Sequence, residues 1–323
     1  MKHRSSVIES ALRVGGHASA PGHRTALDAA YAMIQNGKFG KGMTTLAVGL
    51  GTIRSALERQ EWEYFCRLTA FAHPLRRLLH QDPFTLHSFS QPKGYPGDAK
   101  LLDFIYGHLV PPAGTTEIGA GIFTFTTNTG APQSVRGRRD ILAKMIDETA
   151  ARVPSPQILS IACGHLREAG LSAAVLGGTI GEFIALDQDA ESLAHVERTF
   201  KGLNVKPVNH SVRNILSEKV RFHDLDFVYA AGLYDYLSDR VATKLTRLMF
   251  NMLAPGGRML VANFAPSLRD IGYMESYMNW KLIYRTLEGM AVLSKGIPAG
   301  HVKDHRVFLD DCQNIVFLEM SKK

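Results

Sequence analysis

The chain has 323 residues, of which 45% are hydrophobic and 21% are charged, and its formal net charge is +7. This composition is typical of a globular protein and argues against intrinsic disorder. The length is sufficient for a catalytic domain with a smaller accessory domain. The lysines and arginines are spread along the chain without a dense run, so we expect no nucleic acid as a partner.

Three cysteines, Cys66, Cys163 and Cys312, are odd in number and far apart. This spacing indicates reduced thiols and predicts neither a disulfide framework nor a metal site. The basic start of the chain lacks the apolar stretch of a secretory signal. No segment reaches the roughly 18 uninterrupted apolar residues of a membrane span. We therefore expect a cytoplasmic protein without a membrane span, and the sequence does not indicate its oligomeric state.

The N-terminal half has mostly helical patterns. Residues 1–24, rich in Gly, Ser and His, predict a loose or partly helical arm. Over residues 24–80 the apolar residues recur at helical spacing, and we expect breaks at residues 37–42 and at Pro74.

The next stretch alternates between turn signals and helical signals. We expect an ordered turn region over residues 81–98, with Asp98 capping the helix that follows. Residues 114–132, rich in Thr and Gly, predict a connecting loop, and residues 133–152 predict a helix. The prolines at 154 and 156 mark the expected domain boundary, with a mostly helical lid or substrate region at 1–152 and a second domain at 153–323.

After this boundary, short apolar runs alternate with helical segments. This alternation predicts a parallel sheet with helices on both faces. The expected strands lie at residues 157–162, 181–186, 205–208, 225–230 and 257–264.

Two final strands are expected at residues 302–309 and 314–319. The short polar turn between them leaves no room for a crossover helix, so they must pair antiparallel. A parallel sheet that ends in an antiparallel hairpin is typical of class I methyltransferases, whereas nicotinamide-binding Rossmann domains usually continue in parallel. We therefore predict an α/β, Rossmann-like sheet of the class I methyltransferase type with a helical N-terminal domain.

The first strand runs into a turn at Ala162, Cys163 and Gly164, and we expect a helix to start near Leu166. A glycine at a strand end lets the backbone approach a ligand, and a helix N-terminus supplies amide donors. His165 stands where a full glycine-rich site would have another glycine. A cofactor-binding turn and an ordinary strand-to-helix turn fit this segment equally well.

Polar residues also follow the second and third strands. Asp187 ends the second strand beside Gln188, where a carboxylate can accept hydrogen bonds from ribose hydroxyls. We favour this role for Asp187 and expect Asp189 to cap the next helix. At the end of the third strand, residues 209–211 include Asn209 and Ser211. These residues either read an adenine edge or form a turn.

The fourth strand is followed by Gly232, Tyr234, Asp235 and Tyr236. Tyrosine faces can hold a sulfonium cation, and a carboxylate can orient an amine or accept a proton. The alternative is that Tyr236 is a core residue and Asp235 caps the next helix. We favour a ligand-binding role for Tyr234 and Asp235 and a core position for Tyr236.

Residues 272–285 have aromatics and methionines at helical spacing. We expect core positions for Met274, Met278 and Leu282. Polar tips on bulky side chains predict a pocket wall or domain interface at Glu275, Trp280, Tyr284 and Arg285.

Several stretches together resemble a bacterial family of methyltransferase-like proteins, described by similarity to the enzyme that makes 3-hydroxypalmitic acid methyl ester. They are SIACGHLREAGLS, ALDQDAESLA, VYAAGLYDYL, PGGRMLVANF, GYMESYMNWKLIYR and LLHQDPFTLHSFSQPKGYPGDAKLLDFIYG. The resemblance spans about residue 74 to the end. It implies S-adenosylmethionine as cofactor, a small-molecule substrate, and a lid that contains Tyr95 and Asp98.

The expected activity is methyl transfer to a carboxylate or hydroxyl of a secondary or fatty-acid-type metabolite. One alternative, from a second resemblance, is cyclisation of S-adenosylmethionine to azetidine-2-carboxylate with release of methylthioadenosine, and another is a non-catalytic binding or regulatory module. The candidate catalytic residues are Tyr234, Asp235, Tyr284, Arg285 and Tyr95. The candidate cofactor-binding residues are Ala162, Cys163, Gly164, His165, Asp187, Gln188, Asn209, Ser211 and Gly232.

Overall fold

A computed structural model describes residues 21–323. Residues 1–20 of the predicted N-terminal arm lie outside this described range. The chain divides into two compact units. The helical unit extends to Gln133 and takes in Arg269–Lys281, and the sheet unit comprises Ser134–Leu268 and Leu282–Lys323.

This division differs from the boundary expected after residue 152. The long helix that precedes the first strand belongs mostly to the sheet unit, because its side chains bond to that unit. Asp147 accepts hydrogen bonds from the Ala174 amide at 2.9 Å and from the Ser172 hydroxyl. The Arg258 guanidinium donates to Glu148 at 3.0 Å and to the carbonyl oxygen of Met145 at 2.7 Å.

The helical unit is built from short helices, and one of them continues into a π-helix at Phe65–Ala70. The helices are α1 (Pro21–Gln35), α2 (Phe39–Ala56), α3 (Arg59–Tyr64), α4 (Leu75–Leu79), α5 (Pro83–Ser90), α6 (Ala99–Tyr106), α7 (Glu117–Thr126) and the start of α8 (Gly130–Arg152). The returning segment adds α13 (Ile271–Tyr277). None of the helices within residues 21–323 is long and apolar enough to cross a bilayer.

Several expectations for this unit were wrong. The predicted turn region contains α5, which Asp82 caps by accepting a hydrogen bond from the Phe84 amide at 2.9 Å. The predicted loop contains α7. There Gly119 permits close packing, because a Cβ would come within 2.3 Å of the carbonyl oxygen of Gln81. Glycine therefore marks a helix contact here, and a loop was wrongly inferred from it.

Two further boundaries were also different from those predicted. Gly42 lies inside α2 and not in a break, since a Cβ at Gly42 would come within 2.6 Å of the Ile34 side chain where two helices pack. The helix expected over residues 272–285 ends at Tyr277. Asn279 adopts a φ of 49°, the left-handed conformation that commonly follows the last turn of a helix.

The sheet unit contains seven strands in the order β3-β2-β1-β4-β5-β7-β6. The strands are β1 (Gln157–Ile161), β2 (Glu182–Asp187), β3 (Val205–Asn209), β4 (Leu225–Ala230), β5 (Leu253–Phe264), β6 (Val302–Leu309) and β7 (Ile315–Lys322). The first five pair in parallel, while β7 pairs antiparallel with both β5 and β6. The predicted fold class, a Rossmann-like sheet with a terminal antiparallel hairpin, is confirmed.

The helices of the sheet unit are most of α8, α9 (Ala173–Leu176), α10 (Ala190–Thr199), α11 (Val212–Leu216), α12 (Asp239–Asn251) and α14 (Leu287–Val292). The core lies where apolar residues of the central strands meet α12, as in the contact set of Val228, Val261, Leu245 and Met249. The helix expected to start near Leu166 is absent from this part of the sheet unit. A 3-10 turn at Ala169–Leu171 comes first, followed by α9.

Candidate functional site

The carboxyl ends of three neighbouring strands bring most of the candidate residues to one edge of the sheet. The register pairs Ile161 with Leu186 and Asp187 with Asn209, and it places β4 on the other side of β1. The turn after β1, the end of β2 and the segment after β4 are therefore neighbours. In an open α/β sheet, ligands bind at this edge, where the strand order reverses.

The turn after β1 has an unusual backbone. Ala162, Gly164 and Leu166 all adopt left-handed conformations, with φ of 57°, 54° and 51°. Such φ values carry little cost for glycine but are unfavourable for alanine and leucine. Leu166 is buried, and its side chain anchors the turn in the core. The backbone thus has the shape of a glycine-rich turn, although only one of the three positions is glycine.

Asp187 connects the end of β2 to this turn. Its Oδ2 atom accepts a hydrogen bond from the Gly164 amide at 2.8 Å, and its Oδ1 atom accepts one from the Asp189 amide at 2.9 Å. Each carboxylate oxygen can accept a second hydrogen bond. Asp187 can therefore receive a hydroxyl donor while it holds the turn in place.

The residues beside Asp187 have mostly structural roles. Asp189 caps α10 as predicted, with the Ser192 amide donating to it at 3.3 Å. Ser211 forms a capping box with Asn214 at the start of α11, so the turn alternative describes it. Asn209 donates to the carbonyl oxygen of Gln188 at 3.2 Å, and Gln188 itself is exposed.

The two other residues of the turn contribute differently. Cys163 is buried, and desolvation followed by the nearby Asp187 carboxylate raises the pKa of its thiol well above the usual value. A thiol of this kind is unreactive, so Cys163 offers only its backbone to a ligand. His165 stacks on His195 of α10, with ring centroids 4.2 Å apart.

The segment after β4 overturns one sequence interpretation. Tyr234 is 0% exposed, and its hydroxyl lies 2.9 Å from the Thr246 hydroxyl of α12. It is a core residue, whereas Tyr236, for which a core position was favoured, is half-buried. Both tyrosines belong to a 3-10 turn at Tyr234–Tyr236, whose first two residues are buried.

Asp235 is also buried, at 2% exposure, and its Oδ1 atom accepts a hydrogen bond from the Phe264 amide at 2.7 Å. Desolvation raises the pKa of this carboxyl to about 6, against the opposing effects of that hydrogen bond and of Arg138 and Arg285. Asp235 is therefore neither a helix cap nor a base that faces solvent. It joins the segment after β4 to the end of β5.

Arg285 is a structural residue, which corrects its assignment as a candidate catalytic residue. Its guanidinium is 4% exposed and donates five hydrogen bonds, as many as it has N–H groups. The acceptors are the carbonyl oxygens of Tyr234 and Leu237, the side-chain oxygen of Asn263 and the Asp239 carboxylate. Tyr284, next to Arg285 in the chain, is half-buried.

Arg138 of α8 lies at this edge and was missed in the sequence. It is 3% exposed, and its Nη1 atom donates to the carbonyl oxygen of Ala231 at 2.7 Å. Its Nη2 atom lies 3.6 Å from the point where a Cβ on Gly232 would stand. Arg138 sits in an amphipathic helix among other arginines, and no spacing signal distinguishes it from them.

Glu168 is a second buried ionisable residue near this edge that the sequence did not indicate. The Tyr229 hydroxyl donates to its Oε1 atom at 2.6 Å. Burial raises the pKa of Glu168, and the Tyr229 hydrogen bond and the charge of Arg138 oppose that rise.

Other residues expected in the site belong to the helical unit. Tyr95 is half-buried, and Asp98 caps α6 as predicted by accepting from the Leu101 amide at 2.8 Å. Glu275 accepts a hydrogen bond from the Trp62 indole at 2.7 Å and from the Arg54 guanidinium at 3.0 Å. Glu275 thus has an ion pair and a hydrogen bond inside its own unit.

Comparisons with solved structures find similar folds at low sequence identity. A protein described as a possible exported protein from Bordetella parapertussis matches with a TM-score of 0.58 at 16% identity, over 83% of this chain and 98% of its own. The N-methyltransferase NodS from Bradyrhizobium japonicum, in complex with S-adenosyl-L-homocysteine, matches with a TM-score of 0.42 at 12% identity, over 57% and 86%. A putative O-methyltransferase from Nostoc punctiforme matches with a TM-score of 0.45 at 13% identity, over 76% and 71%.

No protein-family model matches the chain, and no curated protein matches it in sequence. At 16% identity, the likeness to the Bordetella protein shows the fold alone. Because one fold can support many activities, function must be argued from the site.

Proposed function

We propose that the sheet unit binds S-adenosylmethionine and transfers its methyl group to a small molecule. The observation that carries this proposal is the hydrogen bond from the Gly164 amide to Asp187, 2.8 Å long. It joins a glycine-turn backbone to a carboxylate at the edge where α/β sheets bind nucleosides. Asp187 would accept hydrogen bonds from the ribose hydroxyls, and the backbone of the turn would contact the cofactor.

The sheet also supports one direction for the bound cofactor. If the ribose lies at the end of β2, the remainder of the molecule extends across β1 toward β4. Adjacent strands are about 4.8 Å apart, so this path covers roughly 10 Å. The sulfonium would then lie between the turn after β1 and the residues that follow β4.

Methyl transfer by in-line displacement depends mainly on positioning the acceptor against the methyl carbon. A hydroxyl acceptor also needs a base, whereas a carboxylate does not. Asp235 bonds to the Phe264 amide, and Arg285 uses its donors within the fold. We therefore favour a carboxylate acceptor, in keeping with the resemblance to a family described by synthesis of a fatty-acid methyl ester.

The sequence resemblance implies a lid that contains Tyr95, and we propose that this residue acts on acceptor binding. Tyr95→Phe keeps the ring and removes only the hydroxyl. We expect it to raise KM for the acceptor and to leave cofactor affinity unchanged, and a loss of cofactor affinity would contradict a lid role.

Two experiments test the proposed activity. Calorimetric titration with S-adenosylhomocysteine should show micromolar binding, and NAD should show none. Incubation with S-adenosylmethionine and 3-hydroxy fatty acids should then give methyl esters and S-adenosylhomocysteine. Failure to bind S-adenosylhomocysteine would contradict the proposal. Release of methylthioadenosine from S-adenosylmethionine alone would favour cyclisation instead.

A further inference from the structure

Arg138 is buried without the hydrogen bonds that a buried guanidinium requires. Arginine has five N–H donors, and within residues 21–323 Arg138 makes a single hydrogen bond, to the carbonyl oxygen of Ala231. Arg285 is buried to the same degree, at 4% against 3% exposure, and uses all five donors. Unused donors on a charged group that is only 3% exposed indicate a ligand, because a guanidinium so little exposed to water normally finds protein partners.

Two buried carboxyl groups lie within electrostatic reach of Arg138, but neither accepts a hydrogen bond from it. Burial raises the pKa of both Glu168 and Asp235, and the charge of Arg138 opposes that effect in each. The Glu168 carboxyl bonds to the Tyr229 hydroxyl and the Asp235 carboxyl to the Phe264 amide. The free donors of Arg138 therefore remain available to an added anion.

The position of Arg138 identifies which anion fits. Its Nη2 atom lies beside Gly232, where the absence of a side chain leaves space next to the guanidinium. Gly232 follows β4, and β4 is separated from β2 by β1 alone. A cofactor with its ribose at Asp187 would place its amino-acid end here, and that end carries a carboxylate. Guanidinium and carboxylate groups match in a two-point hydrogen-bonded pair.

We propose that Arg138 binds the α-carboxylate of the amino-acid portion of S-adenosylmethionine. This inference rests on the proposed function. Arg138 of α8 would then bind the amino-acid end of the cofactor, while Asp187 binds the ribose. The hydrogen bond to Ala231 would hold the guanidinium in place before the ligand arrives, so that little side-chain entropy is lost on binding.

The test compares S-adenosylmethionine with its decarboxylated derivative, since the two ligands differ only in that carboxylate. Dissociation constants are measured by calorimetry for the wild type, Arg138→Gln, Arg138→Lys and Arg240→Gln. Arg240 is an exposed residue of α12 and controls for the loss of one positive charge. The decarboxylated ligand also reports folding, because a variant with a damaged site would lose it too.

We expect the wild type to prefer S-adenosylmethionine by about 10- to 100-fold, the range of a charge-assisted hydrogen-bonded pair. Arg138→Gln should reduce this preference to about threefold or less and keep the affinity for the decarboxylated ligand, and Arg138→Lys should be intermediate. Arg240→Gln should match the wild type. An unchanged preference in Arg138→Gln, or equal losses for both ligands, would overturn the inference and leave the proposed function standing. A wild type that binds neither ligand would contradict the proposed function itself.

Discussion

The Oδ2 atom of Asp187 holds the Gly164 amide at 2.8 Å, so the carboxylate that ends β2 also fixes the turn that follows β1. The Asp189 amide occupies the other oxygen at 2.9 Å. One side chain thereby determines the position of backbone on two strands. This double role makes Asp187 the residue whose replacement should affect the candidate site most directly.

Asp187→Asn should weaken S-adenosylhomocysteine binding by about tenfold or more. The amide has one acceptor oxygen, so it can hold either the Gly164 amide or the Asp189 amide but not both, and it accepts more weakly from a hydroxyl. Calorimetry measures the change. Asp189→Asn, two positions away, should bind the ligand as the wild type does, because asparagine keeps the backbone amide that donates to Asp187 and is itself a good helix cap. Equal affinity in the wild type and Asp187→Asn would refute the ribose role.

Arg285→Met should lower the free energy of unfolding by about 3 kcal/mol or more, because it leaves buried acceptors without donors. Those acceptors include the carbonyl oxygen of Tyr234 at 2.8 Å. Urea denaturation followed by circular dichroism measures the loss. Arg240→Met removes an exposed arginine of the same sheet unit and should change stability by less than about 0.5 kcal/mol. A small loss for Arg285→Met would show that the network is not structural.

Asp235→Asn should gain stability relative to the wild type as the pH rises from 4 to 7. The folded-state pKa of Asp235 is raised from 3.8 to about 6, so its carboxyl favours the folded state below pH 4 and loses that contribution as the pH passes 6. Asparagine keeps an oxygen for the Phe264 amide and does not ionise. The difference in unfolding free energy should grow by on the order of 2–3 kcal/mol across this range. A difference that does not vary with pH would contradict the burial of an ionisable Asp235.

Gly119→Ala should destabilise the protein by about 2 kcal/mol, since the new Cβ would overlap the backbone at Gln81. Gly51→Ala provides the matched control within α2, because nothing lies within 4 Å of its Cβ position. That variant should gain up to about 1 kcal/mol from helix propensity. Thermal and urea unfolding of the two variants measure the contrast. Equal effects would mean that α7 does not pack closely at Gly119.

The sequence by itself determined the sheet and the features that depend on local patterns. Strands β4 and β6 begin and end where the apolar runs predicted, and the short turn before β7 required antiparallel pairing. The caps at Asp98 and Asp189 were also predictable, because a capping side chain accepts a hydrogen bond from a backbone amide two or three residues further along the chain. The position of Asp187 beside the turn after β1 was predictable too, because the carboxyl ends of neighbouring parallel strands lie at the same edge of a sheet.

Only the tertiary structure decided what the residues after β4 do. Tyr234 and Tyr236 are two positions apart and alike in chemistry, and the turn between them places the first in the core. The hydrogen-bond partners of Arg285 lie up to 51 positions away in the sequence. The partner of Arg138, Ala231, lies 93 positions away. Hydrogen bonds over such separations leave no periodic trace in the sequence, because they depend on how α8 and the strand ends pack. For the same reason, the glycines of α7 resembled a loop until the helix contact that requires them was visible.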